Sequence, residues 1–444
     1  MDYKILAEKL VKKCINTGAD AAEVYIESGR NLSIEVRNGQ VETVTEAASH
    51  GAGFRVFVKG KMAFSHCNDF SDKALENAVS KAVVFAGNTT PDENNVLPED
   101  MEITGVEGLY DAEIAEVSMD RKIGMAKEVE QLAMENEKIT KSSGSGFSEG
   151  DSETIIANSN GLLKNYKSSY CAYGVGVVAE KGEQKSTGYE YCSRRYFSDL
   201  LSSEEIAAKA AKKAYELLDP RMVKTQRAAV IFDPDVARSI LGGILGALNG
   251  ERVLQGASFL RDKMNEKFAS DLITLIDDGR RAKGLGSKPF DGEGVPTQKR
   301  VLVENGLLKG FLYNTIVAKR AGVESTGNAS RRGYRSLPGI GFHNLFMDAG
   351  ESPRDEIIKT TKNGLLLKGV TGYGINPVNG NFSGGATGFW IKNGQIAFPV
   401  KGLTIAGAAD EILNGINMVG DDLDLNRSFT APTFRVREMQ IGGE

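Results

Sequence analysis

The sequence predicts an α+β protein, in which a helix-and-sheet N-terminal region precedes a C-terminal domain dominated by antiparallel β hairpins. Three observations support this prediction. Amphipathic helical patterns are most frequent in the first half of the chain, and Asn-Gly pairs separate apolar arms in the second half. The 51 glycines are spread along strand-like segments, which indicates tight turns and close approaches of the backbone.

Length and composition limit the class of protein. A chain of 444 residues with 41% hydrophobic residues can bury a large core, and we predict three units at residues 1–98, 99–222 and 223–444. The net charge of −5 is not the basic footprint of a nucleic-acid-binding protein. No apolar run approaches the ~20 residues that span a bilayer. Four scattered cysteines without a CxxC pair indicate reduced thiols, so we expect a cytoplasmic protein.

The first unit is predicted to combine two helices with a hairpin. Apolar residues recur at helical spacing over about residues 2–17, and a second helix follows Ser71 as its expected N-cap. Asn38-Gly39 lies between two alternating runs, as a two-residue turn with positive φ requires. Residues 88–111 are polar, acidic and contain proline, so we expect a linker there.

The second unit is predicted to contain two helices around a strand-rich stretch. The first helix covers roughly residues 119–135, and strand-like alternation follows from Ile139 to Phe197. Ser202 and Glu205 have the spacing of a capping box, which marks the start of the next helix.

The third unit is predicted to begin with a short apolar strand and a helix over residues 234–249. Asp233 is the expected N-cap of this helix, and Pro234 occupies its first position. Beyond about residue 295, three segments place an Asn-Gly pair between apolar arms, which is typical of hairpin turns. The three pairs are Asn305-Gly306, Asn363-Gly364 and Asn393-Gly394.

The helix over residues 234–249 carries an apolar stripe beside a stripe of small residues. The apolar stripe consists of Val236, Ile240, Ile244 and Leu248, and the small stripe of Ser239, Gly242, Gly243, Gly246 and Gly250. Each glycine inside a helix costs about 1 kcal/mol relative to alanine. Close backbone packing is the favoured explanation. The alternative is that the helix lines a space for a ligand, with Gly242 and Gly246 as candidate residues of a substrate cavity.

The histidines and cysteines of the sequence form no recognisable catalytic motif. The three histidines are His50, His66 and His343, and none belongs to an HExxH pattern. His66 and Cys67 are adjacent and would point to opposite faces of a strand. His343 lies among apolar residues, and we expect it to be structural. A zinc site assembled from distant residues remains open.

Three further segments were considered as binding sites. The glycine-rich stretches 144–150 and 372–374 precede no convincing helix, so they do not form a dinucleotide-binding loop. The acids of residues 421–426 do not match an EF-hand. Arg331 and Arg332 lie in a polar, turn-rich stretch, for which an exposed loop is the default and contact with a carboxylate or a peptide backbone in a substrate cavity is the alternative.

The C-terminal stretch resembles a known family. Residues 371–407 read TGYGINPVNGNFSGGATGFWIKNGQIAFPVKGLTIAG, and residues 411–423 read EILNGINMVGDDL. This run is similar to the closing segment of the TldD/PmbA metallopeptidase family, as are residues 256–264, residues 301–315 and the N-terminal VRNGQVE hairpin. The family pattern is matched at Gly380, Phe382, Ser383, Gly385, Gly388, Ile391, Gly394, Pro399 and Val400.

The resemblance points to the PmbA (TldE) branch. TldD-like members carry HExxxH on the helix that corresponds to residues 234–249, and they bind zinc with its histidines and a C-terminal cysteine. Leu241, Gly242 and Gly246 stand at the HExxxH positions here, and no cysteine lies beyond Cys192. The resemblance therefore implies no catalytic or metal-ligating residues and no cofactor in this chain, with zinc expected in a TldD-like partner.

The resemblance also implies an assembly and an activity. It implies a homodimer or a heterodimer with a TldD-like subunit, a cavity for unfolded peptides between subunits, and proteolysis. The family label of DNA gyrase modulator gains no support from this acidic composition. Two alternatives remain open, a self-sufficient homodimeric peptidase with an unrecognised site and a non-proteolytic peptide-binding or scaffold protein.

Overall fold

The computed structural model describes residues 1–372 and 374–444. Its mixture of helices and mostly antiparallel sheets confirms the predicted α+β class. In these ranges, no helix is both long enough and apolar enough to cross a membrane. The N-terminal half contains α1 (Tyr3–Asn16), β1 (Ala21–Arg37), β2 (Gln40–Val58), β3 (Lys61–Cys67), α2 (Asp72–Gly87), α3 (Glu113–Glu116), α4 (Met119–Met134), β4 (Ile139–Asn158), β5 (Leu163–Lys181), β6 (Gln184–Arg194), a 3-10 turn (Phe197–Asp199) and α5 (Ser203–Tyr215).

The N-terminal half is built on one six-stranded antiparallel sheet with the order β3-β2-β1-β4-β5-β6. The sheet is continuous across the boundary predicted near residue 98. On β1, Val24 and Ile26 pack with α1 and α2, while Ile34 and Val36 pack with α4 and α5. Because alternate residues of a strand share a face, all four helices cover the same face, and the other face is left for the C-terminal half and for solvent.

The local signals of the N-terminal half are mostly confirmed. Asn38 and Gly39 form the β1–β2 turn with φ of 52° and 73°, and Ser202 Oγ accepts a hydrogen bond from the Glu205 N–H at 3.3 Å. Ser71 is the N-cap residue of α2 as predicted, but its side chain accepts no hydrogen bond from the helix, and its hydroxyl donates to Asp69. Residues 88–111 contain no regular helix or strand, as expected of a linker.

The C-terminal half contains a barrel and a smaller five-stranded sheet. In the barrel, β15, β14, β7, β19 and β16 pair in sequence and β16 closes back onto β15, with only β14 and β7 parallel. The elements are β7 (Gln226–Phe232), α6 (Pro234–Ala247), α7 (Gly250–Leu254), β8 (Leu275–Asp278), β9 (Lys299–Glu304), β10 (Leu307–Leu308), α8 (Thr315–Ala321), β11 (Ala329–Ser330), β12 (Gly339–Ile340), β13 (Leu345–Met347), α9 (Arg354–Lys359), β14 (Asn363–Thr371), β15 (Asn381–Lys392), β16 (Gln395–Ala408), α10 (Ala409–Asn414), β17 (Ile416–Val419), β18 (Phe429–Thr430) and β19 (Phe434–Gly442).

Two of the three predicted C-terminal Asn-Gly turns are confirmed, and one prediction is wrong. Asn305-Gly306 joins β9 to β10, and Asn393-Gly394 joins β15 to β16, all with positive φ. Asn363-Gly364 instead begins β14, which runs parallel to β7. A β-carbon at Gly364 would lie 2.6 Å from the Ala229 carbonyl oxygen of β7. The glycine therefore permits close strand packing, a role that the dipeptide alone does not reveal.

Helix α6 forms as predicted and packs closely through its small stripe. Asp233 accepts a hydrogen bond from the N–H of Asp235, Pro234 is in the first turn, and the apolar stripe is buried. A β-carbon at Gly243 would lie 2.0 Å from the Ile375 carbonyl oxygen, and one at Gly246 would lie 2.9 Å from Pro377 Cβ. The close-packing explanation therefore holds for both of these glycines.

A buried ionic cluster joins the N-terminal sheet to the C-terminal half. Arg55 on β2 donates to Glu23 at 2.6 Å and to Glu293 at 2.7 Å, and Arg331 also donates to Glu23. All four side chains are at most 2% exposed. Burial alone would lower the pKa of Arg55, but attraction to Glu23 and Glu293 outweighs burial and raises it. The guanidinium therefore stays charged inside the protein.

Replacing Gly243 with alanine should lower the free energy of unfolding by about 1–3 kcal/mol, the usual cost of overpacking, because the methyl group meets the Ile375 carbonyl. Gly242→Ala is the matched control. It lies on the exposed side of the same helix, where the first contact of a β-carbon is 4.0 Å away, so alanine should stabilise the helix by up to ~1 kcal/mol. Urea unfolding followed by circular dichroism measures both variants, and equal stabilities would contradict the packing described for α6.

Replacing Arg331 with methionine should destabilise the protein by about 3–5 kcal/mol, because it leaves two buried carboxylates facing one guanidinium. Arg332→Met removes the same charge from the next residue, which is exposed, and should change stability by no more than about 0.5 kcal/mol. Thermal melts of the two variants provide the comparison. Similar melting temperatures would show that the cluster does not carry the proposed stabilisation.

Candidate functional site

A cavity of about 690 Å³ lies between the two halves of the protein. The N-terminal half contributes the end of β6 and one side of α5, and the C-terminal half contributes the start of α6, parts of β14 and β15, and residues 424–429. Its basic side chains are Arg194, Lys209, Lys212, Lys213, Arg238, Arg354, Lys368 and Arg427. Its acidic side chains are Glu190, Glu216, Asp235 and Asp424.

Ion pairs line this cavity, and the pair of Lys213 with Asp235 joins the two halves. Lys213 on α5 lies 2.8 Å from Glu190 and 2.7 Å from Asp235, and Arg427 lies 2.9 Å from Asp235. Burial alone would raise the pKa of Asp235, but the hydrogen bond and charge of Lys213 outweigh burial and lower it. Asp235 therefore stays ionised, and it is neutralised by its two basic neighbours instead of being available to a ligand.

A groove on the uncovered face of the N-terminal sheet adjoins this cavity. It has a volume of about 500 Å³ and is lined by small side chains of β1, β4 and β5, including Ser33, Ser148 and Ala172. Tyr191 of β6 lines both the groove and the cavity, and its ring lies 5.6 Å from that of Tyr189. The two spaces therefore adjoin at Tyr191, with aromatic rings between them.

The edge strand β6 lines both spaces. It is the last strand of the N-terminal sheet, so the described strands leave its outer side without a partner. Four of its residues, Glu190, Tyr191, Ser193 and Arg194, line the cavity. An unpaired strand edge presents backbone N–H and C=O groups that bind an extended chain.

The predicted cavity residues Arg331 and Arg332 lie elsewhere. Arg331 is buried in the ionic cluster, with its guanidinium 4.9 Å from the ring of Tyr25. The expectation of an exposed loop is therefore wrong for Arg331, whose carboxylate partner is Glu23 of the same chain, whereas Arg332 is exposed. Both arginines line a separate cavity of about 200 Å³.

The predicted cavity residues Gly242 and Gly246 lie close to the interdomain cavity but do not line it. Gly246 packs on Pro377. Gly242 is exposed, and its nearest neighbour for a β-carbon is Phe429, a residue of the cavity wall. Gly243 and Gly246 therefore serve packing, while the N-terminal part of the same helix, through Asp235 and Arg238, contributes to the cavity.

The structure gives His343 a structural position. Its Nε2 lies 2.7 Å from the carbonyl oxygen of Gly327, and its backbone N–H donates to Asp277. Burial lowers the pKa of His343 to about 3, so the ring is neutral and does not serve as a proton carrier near neutral pH. His66 and Cys67 lie on successive positions of β3, and all four cysteines are free thiols.

The other segments considered as binding sites also have structural positions. Residues 144–150 lie inside β4, with no helix after them. In the stretch 372–374, Tyr373 lies outside the described residues. Asp422 accepts hydrogen bonds from the backbone and hydroxyl of Thr433. Within residues 1–372 and 374–444, no group of three or more His, Cys, Asp or Glu side chains is arranged to hold a metal ion.

The residues that line the cavity were not identified from the sequence. They come from α5, β6, α6, β14, β15 and residues 424–429, and no local pattern connects these segments. The one available signal was the acidic start of α6, where Asp233 was interpreted only as an N-cap. In the structure Asp233 also binds Arg354 at 2.7 Å and Lys368 at 3.1 Å.

Comparison with known proteins gives a consistent result along the chain. Family models described as PmbA/TldA metallopeptidase domain 1, central domain and C-terminal domain match residues 22–86, 112–218 and 225–443. The metalloprotease PmbA of Escherichia coli is 29% identical over 98% of this chain and 97% of its own length. A PmbA homologue of Haemophilus influenzae is 30% identical over 95% of this chain and 92% of its own length.

Solved structures agree with these matches. The crystal structure of TldE from Thermococcus kodakarensis is 26% identical and superimposes with a TM-score of 0.90, over 98% of this chain and 99% of that chain. A Bacteroides thetaiotaomicron protein, described as a candidate modulator of DNA gyrase, is 28% identical with a TM-score of 0.92 over the full length of both chains. The chain belongs to the PmbA/TldD metallopeptidase family and lies on its PmbA side.

Proposed function

We propose that this chain is the PmbA-type subunit of a two-part zinc peptidase of the cytoplasm, in which it binds unfolded peptides while a TldD-like partner supplies the zinc. The observation that carries this proposal is the interdomain cavity, which lies beside the free edge of β6 and adjoins the sheet-face groove at Tyr191. A free strand edge of this kind suits an extended main chain, because strand addition gives affinity without demanding one sequence. Four free cysteines fit a reducing compartment.

The chain's own residues do not fit a zinc site on α6. Zinc in proteins is held by imidazole nitrogen, thiolate sulfur or carboxylate oxygen, and Leu241, Gly242 and Gly246 offer none of these donors. Leu241 is fully buried in the core. These features support a role in peptide binding for this chain and a metal-bearing role for its partner.

Purified full-length chain is expected to contain well under one zinc per polypeptide and to leave a quenched fluorogenic unfolded peptide uncleaved. Cleavage should appear when an HExxxH-bearing relative is added and should exceed the activity of that relative alone. Elemental analysis and the fluorescence assay measure the two quantities. The control is a partner whose HExxxH glutamate is replaced by glutamine.

Two results would contradict this proposal in different ways. Stoichiometric zinc with cleavage by the chain alone would favour the self-sufficient peptidase. Peptide binding without any effect on the partner's cleavage would favour the scaffold protein.

Filling the groove with a large side chain should raise the KM for peptide cleavage. Ala172→Trp places a large ring on the open sheet face, so the KM for peptide cleavage by the mixed subunits should rise on the order of tenfold, equivalent to about 1.4 kcal/mol. Val84→Trp is the control, because Val84 is 62% exposed on α2, which packs on the opposite face. Steady-state kinetics on the fluorogenic peptide gives the comparison, and an unchanged KM for Ala172→Trp would remove the groove from the peptide path.

A further inference from the structure

The interdomain cavity is positively charged, although the chain as a whole is acidic. Eight basic and four acidic side chains line its walls, and Glu205 and Asp233 pair with three of these bases from outside the lining, so the formal charge is +2, against −5 for the complete sequence. Charges of one sign in a concave wall of low dielectric constant focus the field and raise the local concentration of oppositely charged ligands. The cavity should therefore attract anions, although the net charge of the protein is negative.

Three of its basic residues stand outside the ion pairs of the described residues. Among the described residues, Arg194, Lys212 and Arg238 have no carboxylate within 4 Å, whereas the other five basic residues of the cavity each form an ion pair. Arg194 donates to the Ser193 carbonyl oxygen at 2.8 Å, and Arg238 donates to that of Asp235 at 3.2 Å. Each guanidinium carries five N–H donors, so most of its donors remain available to a ligand.

These arginines come from different halves of the protein. Arg194 is the last residue of β6, and Arg238 lies in the first half of α6. Both are only partly exposed, and partial burial strengthens a charged hydrogen bond relative to one in open water. A planar carboxylate matches the fork of a guanidinium better than it matches an ammonium group.

We propose that Arg194 and Arg238 recognise a carboxylate of the bound peptide, with Lys212 adding positive charge. This inference rests on the proposed peptide-binding function and specifies its substrate class. An extended peptide that adds to the edge of β6 passes Arg194 where that strand ends, so its carboxylate enters the cavity there. A C-terminal carboxylate and an acidic side chain near the C-terminus offer the same chemistry to this site.

Fluorescence anisotropy with full-length protein and three labelled unfolded peptides tests this inference. The first peptide has acidic residues near a free C-terminus, the second is the same peptide with an amidated C-terminus, and the third has glutamine in place of each acid. The first should bind most tightly. A loss of roughly tenfold for the second or for the third peptide identifies the source of the carboxylate.

Substitutions of the two arginines test the same inference from the side of the protein. Arg194→Gln and Arg238→Gln should each weaken binding of the first peptide by roughly tenfold and reduce the preference among the peptides. Arg238→Lys keeps the charge without the planar fork and should retain part of the affinity. Lys73→Gln, an exposed position on α2 outside the cavity, makes the same change in net charge and should bind like the wild type.

The outcomes separate the two proposals. Equal binding of all three peptides by the wild type, unchanged in the arginine variants, would overturn carboxylate recognition and leave peptide binding standing. Failure of every peptide to bind would overturn both. If Lys73→Gln weakened peptide binding as much as Arg238→Gln does, the loss of affinity would come from net charge alone. That result would also overturn the proposed carboxylate site.

Discussion

Glu23, Arg55, Glu293 and Arg331 together impose the constraint on which the shape of the protein depends. Removing an ion from water costs several kcal/mol even after relaxation, and only close, complete pairing offsets that cost. Two carboxylates and two guanidiniums, each at most 2% exposed, pair closely only when β1 and β2 meet the C-terminal loops in one arrangement, which leaves Arg55 Nε as the one guanidinium nitrogen of Arg55 without a hydrogen-bond partner among the described residues. The adjoining apolar contacts of Tyr25 with the C-terminal half lie beside the same junction. The cluster therefore fixes the position of one half relative to the other.

The shape and charge of the interdomain cavity follow from that fixed arrangement. A second set of ion pairs, in which Lys213 of the N-terminal half and Arg427 of the C-terminal half both contact Asp235, is more exposed, with side-chain exposures of 26–34%. Such pairs contribute little to stability. Their effect is on charge, because they neutralise the acids at the start of α6 and on β6 while leaving Arg194 and Arg238 without acidic partners among the described residues. The buried ionic cluster therefore stabilises the interface between the two halves. The more exposed ion pairs of Asp235 contribute little stability and instead determine which charges of the cavity remain unpaired.

The fold class and most local elements could be predicted because they depend on neighbouring residues. Positive φ at Asn38-Gly39 and the apolar spacing of α6 are properties of short segments, and both are confirmed. The prediction of a turn at Asn363-Gly364 is wrong because the same dipeptide also suits a strand that approaches β7 closely. Only the parallel pairing of β14 with β7 decides between these two roles. The ionic cluster could not be predicted, since Glu23 and Arg331 are 308 residues apart. The cavity depends on the same long-range arrangement.

The packing of α6 bears on how this chain and a zinc-bearing relative would differ. The three positions that the family resemblance places at HExxxH would need new donor atoms before this helix could hold zinc. Leu241 is fully buried, so an imidazole there would replace core contacts, and any side chain at Gly246 would press on Pro377. Only Gly242 has room for a larger residue. A metal site would therefore require repacking of residues 375–377 as well as new ligands, so the stability of this helix and the capacity to bind zinc on it are opposed requirements. The division of labour that we propose would satisfy both requirements, with the tightly packed helix in this chain and the metal in its partner.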